Sequence, residues 1–463
     1  MTVEQRTAMY VQKDIPGDVV TPISLYHSLN GKKKILFESN DQHEGSGRYS
    51  FIAANPVKEL ISKQQRVSER LNDGTVIHHE QSAFDVIKQL MPHPPTAYPF
   101  SFYGGAIGYI GYEMAFEQEA IGERLRDDLE MPDLHLLFFD SFIVFDHVTL
   151  TLSVVAIDLF HEGKTEQLLT DRVDEMINQI SHPVLVPTDA VEPLHFESAT
   201  TEADFCKMVR TGQQHIQNGD IFQIVLSQRF ASDFTGNPMS LYRKLRLSNP
   251  SPYMYYLQFD DYTILGTSPE SLVKVTNRQV TTNPIAGTRK RGHTVEEDAA
   301  LQKELLADEK ELAEHRMLVD LGRNDLGKLC EIGSIQLQKY MLIEKYKYVM
   351  HIVSEVTGQL KPTIHPIDVL AATLPAGTVS GAPKIRAMQL INELETHQRG
   401  VYAGAVGYLS LSGDLDMALA IRTMVVRRGK AYVQAGAGVV YNSVPKLEYE
   451  ETLNKAKALL EVL

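Results

Sequence analysis

The feature that most constrains this chain is a succession of short strand candidates, closely spaced and joined by short turns, in its C-terminal two thirds. They span residues 221–230, 253–259, 262–266, 272–275, 332–338, 349–356, 402–411, 417–426 and 431–440. In the first of them Phe222, Ile224, Leu226 and Phe230 share one face, leaving Gln223, Ser227 and Arg229 on the other. Short turns cannot carry the crossover that a parallel pair needs, so the strands must pair antiparallel. Long helices are expected over 295–319 and from 445 to the end of the chain. Another is expected just after residue 200, where Thr201 and Asp204 offer a capping pair and Phe205, Met208, Val209, Gly212 and Ile216 follow at helical spacing. The class is therefore α+β, with large antiparallel sheets covered by helices.

A chain of 463 residues exceeds what one hydrophobic core usually serves. Its main boundary is expected in a polar stretch carrying Pro183, Pro187 and Pro193, which separates a region 1–180 from a region 200–463 by a connector, 181–199. A second Pro-rich stretch, 91–95, interrupts the first region. No apolar run approaches a membrane span, and the first eighteen residues lack the apolar segment of a signal peptide, so the expected location is the cytoplasm, with no membrane partner. Two cysteines, Cys206 and Cys330, can form neither a disulfide framework nor a structural zinc site, and neither has the setting of a nucleophile. The 59 acidic against 45 basic residues give a net charge of −14, which disfavours nucleic acid. The chain contains no tryptophan.

Several polar residues stand out. Glu311 and Glu314 share one face of the middle helix, and Glu448, Glu451 and Lys455 one face of the last. Carboxylates from two helices without histidine or thiolate suit Mg²⁺, although either helix alone reads as a solvated acidic face. The segment 283–292 ends in three cations, and its Gly287 and Thr288 offer backbone N–H groups and a hydroxyl to an oxyanion. A second glycine-rich turn, Gly436-Ala437-Gly438, reads equally as a carboxylate cradle or a tight sheet bend. His351, Tyr402 and Arg422 interrupt apolar strands. An arginine in such a place needs an anion, either a structural carboxylate or a ligand.

Taken in order, PIAGTR at 284–289, EHRMLVDLGRNDL at 314–326, PAGTVSGAPK at 375–384, AIRT at 420–423, GAGVV at 436–440 and the C-terminal ExxExxxK resemble the chorismate-utilising enzymes, specifically the anthranilate synthase large-subunit family. The resemblance covers nearly the whole chain and implies a sandwich of sheets, with an effector-side region at 1–180 and a chorismate-binding region at 200–463. It implies Mg²⁺ held by Glu314 and Glu451, with Glu311 and Glu448 acting through water. The ring carboxylate of chorismate would lie beside Gly287 and Thr288. Arg422, Tyr402 and the 436–438 segment would hold the enolpyruvyl carboxylate, and Lys455 of the ExxExxxK motif is implied as a further substrate-binding residue. Glu270 is the implied general acid, and His351 and Thr378 belong to the elimination phase. The implied reaction adds ammonia to form 2-amino-2-deoxyisochorismate and then eliminates pyruvate. Water-adding members carry a lysine base where this chain has Gln223, and an amide cannot take that proton. Many 4-amino-4-deoxychorismate synthases, the close alternative, carry a nucleophilic lysine where this chain has Ala286. The family also implies a separate glutamine amidotransferase subunit as ammonia source, and feedback inhibition by tryptophan held by Glu38, Ser39, Pro252, Tyr253 and Met254.

Overall fold

The computed structural model describes residues 8–39, 48–91, 98–182, 184, 193–346 and 349–460. Two twelve-stranded antiparallel sheets form its frame. The first runs Tyr10–Pro16, Thr151–Ile157, Ser141–Asp146, Tyr49–Ala53, Ile35–Ser39, Tyr253–Gln258, Tyr262–Ser268, Thr423–Arg427, Lys430–Val439, Gln223–Asp233 and Glu197–Ser198, with Gly381–Ala382 beside Gln223–Asp233. The second runs from Ile285–Lys290 through Val349–Gln359, Gln279–Thr282, Ser271–Thr276, Leu415–Leu419 and Ala405–Ser410 to Gly105–Ile110, Leu134–Phe139 and the strands of 58–79. The α+β expectation holds.

The largest apolar core lies between the sheets and joins Phe37, Phe51 and Tyr255 of one to Ile107, Leu137, Val273 and Met417 of the other. The outer face of the first sheet is covered by the helices Glu166–Ile180 and Pro238–Ser248, which bury Val173, Met176, Leu241 and Tyr242 against it. Glu202–Gln217 and Lys384–Leu394 enclose a third core around Phe205, Ile224 and Ile391. Among the described residues no helix is long and apolar enough to cross a membrane.

Both sheets contain strands from before and after residue 200. Ile35–Ser39 pairs with Tyr253–Gln258 in one, and Gly105–Ile110 with Ala405–Ser410 in the other. Of the expected connector, residue 183 and residues 185–192 lie outside the described residues, as do 92–95 of the earlier Pro-rich stretch.

Several elements differ from expectation for local reasons. The helix expected over 295–319 is two, Val295–Leu305 and Glu309–Gly327, because Asp308 caps the second by accepting from the backbone N–H groups of Lys310 and Glu311. Residue 332 starts no strand: Ile332 is fully exposed in a turn, and the strand begins at Gln336. Phe222 precedes its strand and is 72% exposed. Tyr402 likewise lies before Ala405–Ser410. The run 417–426 is cut in two. Leu415–Leu419 belongs to the second sheet and Thr423–Arg427 to the first, with Arg422 at the crossing in left-handed backbone, φ 49°. A second crossing lies beside it, where Tyr262–Ser268 leaves the first sheet and Ser271–Thr276 enters the second, with Glu270 between. Backbone hydrogen bonds tie the two crossings together, from Thr267 N to Arg422 O at 3.1 Å and from Leu419 N to Glu270 O at 2.9 Å.

Candidate active site

The two crossings put opposite charges at one place. Glu270 accepts a 2.8 Å hydrogen bond from the Thr378 hydroxyl, which stands in the tight turn Gly377–Val379. Burial pushes its carboxyl up to about 7, against the opposing pull of Thr378, Lys455 and Arg422. It is therefore a carboxyl that holds a proton near neutrality and can release it. Burial also weakens the hold of Arg422 on its proton, with Glu270 acting the other way. Among the described residues no carboxylate lies within ion-pair distance of the Arg422 guanidinium and no hydrogen bond reaches it. The expected structural partner is absent there, which leaves the cation for an anionic ligand.

Gly287 and Thr288 form part of the strand Ile285–Lys290, not a loop, and the pairing with Val349–Gln359 slips between Ala286 and Thr288. Gly287 takes up the bulge at φ 70°, and a Cβ there would lie 3.0 Å from Leu305 Cδ1 and 3.3 Å from Glu311 Oε2. His351 Nδ1 lies 3.0 Å from Gly287 O and 3.1 Å from Thr288 Oγ1. A carbonyl only accepts, so this network assigns the proton to Nδ1 and leaves Nε2 with its lone pair. Burial holds the imidazole below its ordinary pKa, the Gly287 carbonyl opposes this, and Arg422 adds to it. His351 is thus neutral and basic at Nε2.

The glycine segment is also strand, not turn. Lys430–Val439 pairs with Gln223–Asp233 so that Gly436 faces Ser227 and Gly438 faces Val225. Both glycines leave room that other residues fill: a Cβ on Gly436 would lie 2.6 Å from Tyr402 Oη, and one on Gly438 would lie 2.9 Å from Gln223 Nε2. Ala437 points to the opposite face and is buried, so only its backbone is available here. Tyr402 is buried, which pushes its hydroxyl up to about 12 with Arg399 opposing. Lys455 donates to Gly436 O at 3.0 Å and pairs with Glu451 at 2.7 Å.

The helical carboxylates close the circle. Gln223 Nε2 donates to Glu314 Oε1 at 3.2 Å. Burial and then the negative charge of Glu314 raise the Glu311 carboxyl. The Glu448 carboxyl is raised by burial first and also by Glu451, while Ser443 and Lys310 of the facing helix lower it. Two like-charged pairs held at their own electrostatic cost are what a cation relieves. Among the described residues no three His, Cys, Asp or Glu side chains converge into a closed metal cage. The donor set is all oxygen and open, which fits Mg²⁺ that keeps waters and awaits substrate oxygens.

Hydrogen bonds, close approaches and charge thus link these residues from Thr378 and Glu270 around to Lys455. The family model described as chorismate binding enzyme covers residues 32–461. The chain belongs to the chorismate-binding enzyme family. Anthranilate synthase component 1 of Lactococcus lactis subsp. lactis (strain IL1403) is 46% identical over 97% of this chain and 99% of its own length. The protein of the same name from Acetivibrio thermocellus is 43% identical over 98% and 94%. Among solved structures, anthranilate synthase component I from Streptococcus pneumoniae TIGR4 superposes with a TM-score of 0.84 at 45% identity, covering 96% of this chain and 98% of that one. The menaquinone-specific isochorismate synthase of Escherichia coli shares the fold alone, with a TM-score of 0.74 at 19% identity over 98% and 95%.

The residues expected at the effector site lie on other strands. Met254 pairs with Glu38, and Tyr253 with Ser39, between Ile35–Ser39 and Tyr253–Gln258. Direct pairing puts Glu38 and Met254 on the outer face of the first sheet and Tyr253 on the inner, where its hydroxyl donates to Asp416 at 2.8 Å. Glu38 accepts from the Tyr242 hydroxyl at 2.6 Å and from Nε and Nη2 of Arg246, both at 2.8 Å. Pro252 is half-buried, and the Ser39 side chain lies outside the described residues.

Two ion pairs lie behind the site, and the pair formed by Arg399 falls outside every motif of the sequence. Lys384 pairs with Asp325 at 2.8 Å and anchors 375–384 to the middle helix, and Arg399 pairs with Glu395 at 2.6 Å. Arg399 follows Thr396, His397 and Gln398, polar surroundings that read as solvated from sequence alone.

Proposed function

We propose that this chain acts as the large component of an anthranilate synthase, a Mg²⁺-dependent cytoplasmic lyase that aminates chorismate and then eliminates pyruvate. The observation that carries the reading is the pairing of an unmatched cation with a protonated acid: Arg422 awaits a carboxylate beside Glu270, whose proton is available near neutrality. Arg422 binds the enolpyruvyl carboxylate together with the backbone of 436–438 and Lys455. Tyr402 fills the gap over Gly436 and shapes the floor of that pocket. The ring carboxylate lies beside Gly287 and Thr288, facing Glu311 and Glu314.

Glu314 and Glu451, with Glu311 and Glu448 behind them, would hold Mg²⁺, which when bound would supply positive charge to offset the ring carboxylate. Glu270 gives its proton to the departing 4-hydroxyl, which leaves as water while ammonia bonds to the ring carbon next to the one bearing the carboxylate; the new ammonium passes its extra proton to solvent, and Thr378 keeps the carboxyl aimed. His351 Nε2 then takes the proton from the aminated carbon while the enolpyruvyl C–O bond breaks and the ring becomes aromatic, and the departing enolate is protonated on its methylene carbon to give pyruvate. Gln223 and Ala286 stand where lysines would serve water addition or covalent attack, so direct attack by ammonia is the route that this chain supports. The para-aminobenzoate branch is disfavoured on the same ground, and by relatives named anthranilate synthase component 1. Ammonia comes from a separate glutamine amidotransferase subunit, because the two cysteines here are buried and free. Tryptophan is the inhibitor, at Glu38, Ser39, Pro252, Tyr253 and Met254.

Fluorescence after adding chorismate, Mg²⁺ and an ammonium salt to the purified chain tests the reading. Anthranilate emission is expected, with none when glutamine replaces ammonium. Chorismate left intact marks a silent binder, and a non-fluorescent aminated product marks an enzyme that stops before elimination.

A further inference from the structure

Arg399 touches no reacting atom in this scheme, yet its guanidinium joins three walls of the site. Its side chain is 1% exposed. Nη1 donates to Val379 O at 2.7 Å and Nη2 to Val225 O at 2.8 Å, while Nε and Nη2 fork onto Glu395 at 2.9 and 2.6 Å. Val379 follows Thr378 in the tight turn, and Thr378 holds Glu270. Val225 lies on the strand of Gln223, and Glu395 Oε1 also accepts from Ser227 N at 2.9 Å and Ser227 Oγ at 2.8 Å. The guanidinium lies 4.8 Å from the Tyr112 ring centroid and 5.6 Å from that of Tyr402. The backbone N–H groups of Arg399 and Gly400 are in turn fixed by the two oxygens of Glu113, at 2.8 and 2.9 Å.

We propose that Arg399 is the positioning residue for the general acid, setting Glu270 through Val379 and Thr378 and setting the carboxylate pocket through Tyr402. A buried ion pair of this kind is often replaceable by apolar residues without loss of stability, so stability alone does not account for it. What an apolar side chain cannot do is hold two carbonyls from different elements and a carboxylate in one plane. Lysine lacks the planar fork and cannot do so either.

The inference rests on the anthranilate-forming reading, and its test uses the full chain with ammonia as nitrogen source. The kcat–pH profile at constant free ammonia and the melting temperature are measured for wild type, T378V, R399K, R399M and the R399M/T378V double variant. Thr378 favours the ionised form of Glu270, so T378V moves the alkaline limb to higher pH. R399K and R399M are expected to move it the same way and to lower kcat by about 100-fold through misplacement, with a smaller change in KM for chorismate. The double variant is expected to match R399M alone, because both act along one path. Should neither Arg399 variant fold, E395Q is expected to give the same shift. A lowered melting temperature with an unmoved limb, or losses that multiply in the double variant, overturns the assignment and leaves Arg399 a packing residue. If wild type itself makes no anthranilate at any pH, the reaction reading fails first and the assignment falls with it.

Discussion

His351 divides the proposed chemistry at a single atom. With Nδ1 committed to Gly287 O, only Nε2 can take a proton, and nothing in the amination step needs it. His351→Met is therefore expected to keep consuming chorismate while accumulating the aminated, pyruvyl-bearing intermediate, as separated by chromatography. Equal loss of both steps would mark the imidazole as packing. Glu270 sets the other limb. As an acid it must be protonated, so activity at constant free ammonia is expected to fall as pH rises through about 7, and as pH falls only below the ordinary histidine value of 6.5, where His351 becomes charged. A profile flat across pH 7, or unchanged in E270Q, excludes Glu270 as the acid. At this scale the sequence was legible wherever a motif carried a residue type against its surroundings, as for Arg422 among Ile421 and Met424. It was silent on Arg399, because its carbonyl partners come from segments 20 and 174 residues away along the chain.

Among the elements, the proposed function gives the two acidic helices and the glycine-bearing strand separable duties. Replacing Glu314 or Glu451 by Gln would remove a charge from the proposed Mg²⁺ site, which among the described residues has no closed protein cage, so turnover is expected to be abolished, and raising Mg²⁺ should not restore it. Near-normal rates in either variant would return that helix to an ordinary acidic face. Gly436→Ala meets Tyr402 Oη at 2.6 Å and Leu226 O at 3.0 Å, and the tyrosine ring is backed by Arg399. The expected outcome is a rise in KM for chorismate of about 10-fold or more, as an overpacked site costs 1–3 kcal/mol. An unchanged KM would show that this strand does not line the pocket. Period-two runs located most strands but could not show that 417–426 changes sheets at Arg422, because the apolar pattern continues across the break. Similarly, the helical pattern through 295–319 hid the Asp308 cap, since Leu305 and Leu312 keep a helical spacing of seven across it.

Across the whole molecule, the two sheets unite what lies on either side of residue 200, and this gives a remote ligand a mechanical route to the chemistry. Ile35–Ser39 pairs with Tyr253–Gln258, which pairs with Tyr262–Ser268, and that strand ends two residues before Glu270. In register, Tyr253 lies opposite Ser268 and Met254 opposite Thr267, whose N–H holds Arg422 O. Any shift of the outer pair therefore reaches both crossings through one strand. In the arrangement described, Glu38 is fully engaged by Tyr242 and Arg246. An effector ammonium at Glu38 must share or displace those donors, and that rearrangement supplies a difference between two states. Inhibition requires tryptophan to bind the less active state more tightly. Substitution of Ser39 or Met254 is accordingly expected to raise the tryptophan concentration for half inhibition by about 5- to 150-fold, the range of a typical coupling energy, with the uninhibited rate nearly unchanged. By reciprocity, saturating chorismate should weaken tryptophan binding in wild type by a factor equal to that by which tryptophan weakens chorismate binding, which equilibrium titrations of each ligand at fixed levels of the other can check. Wild-type activity indifferent to millimolar tryptophan would remove the effector assignment and reopen the para-aminobenzoate alternative.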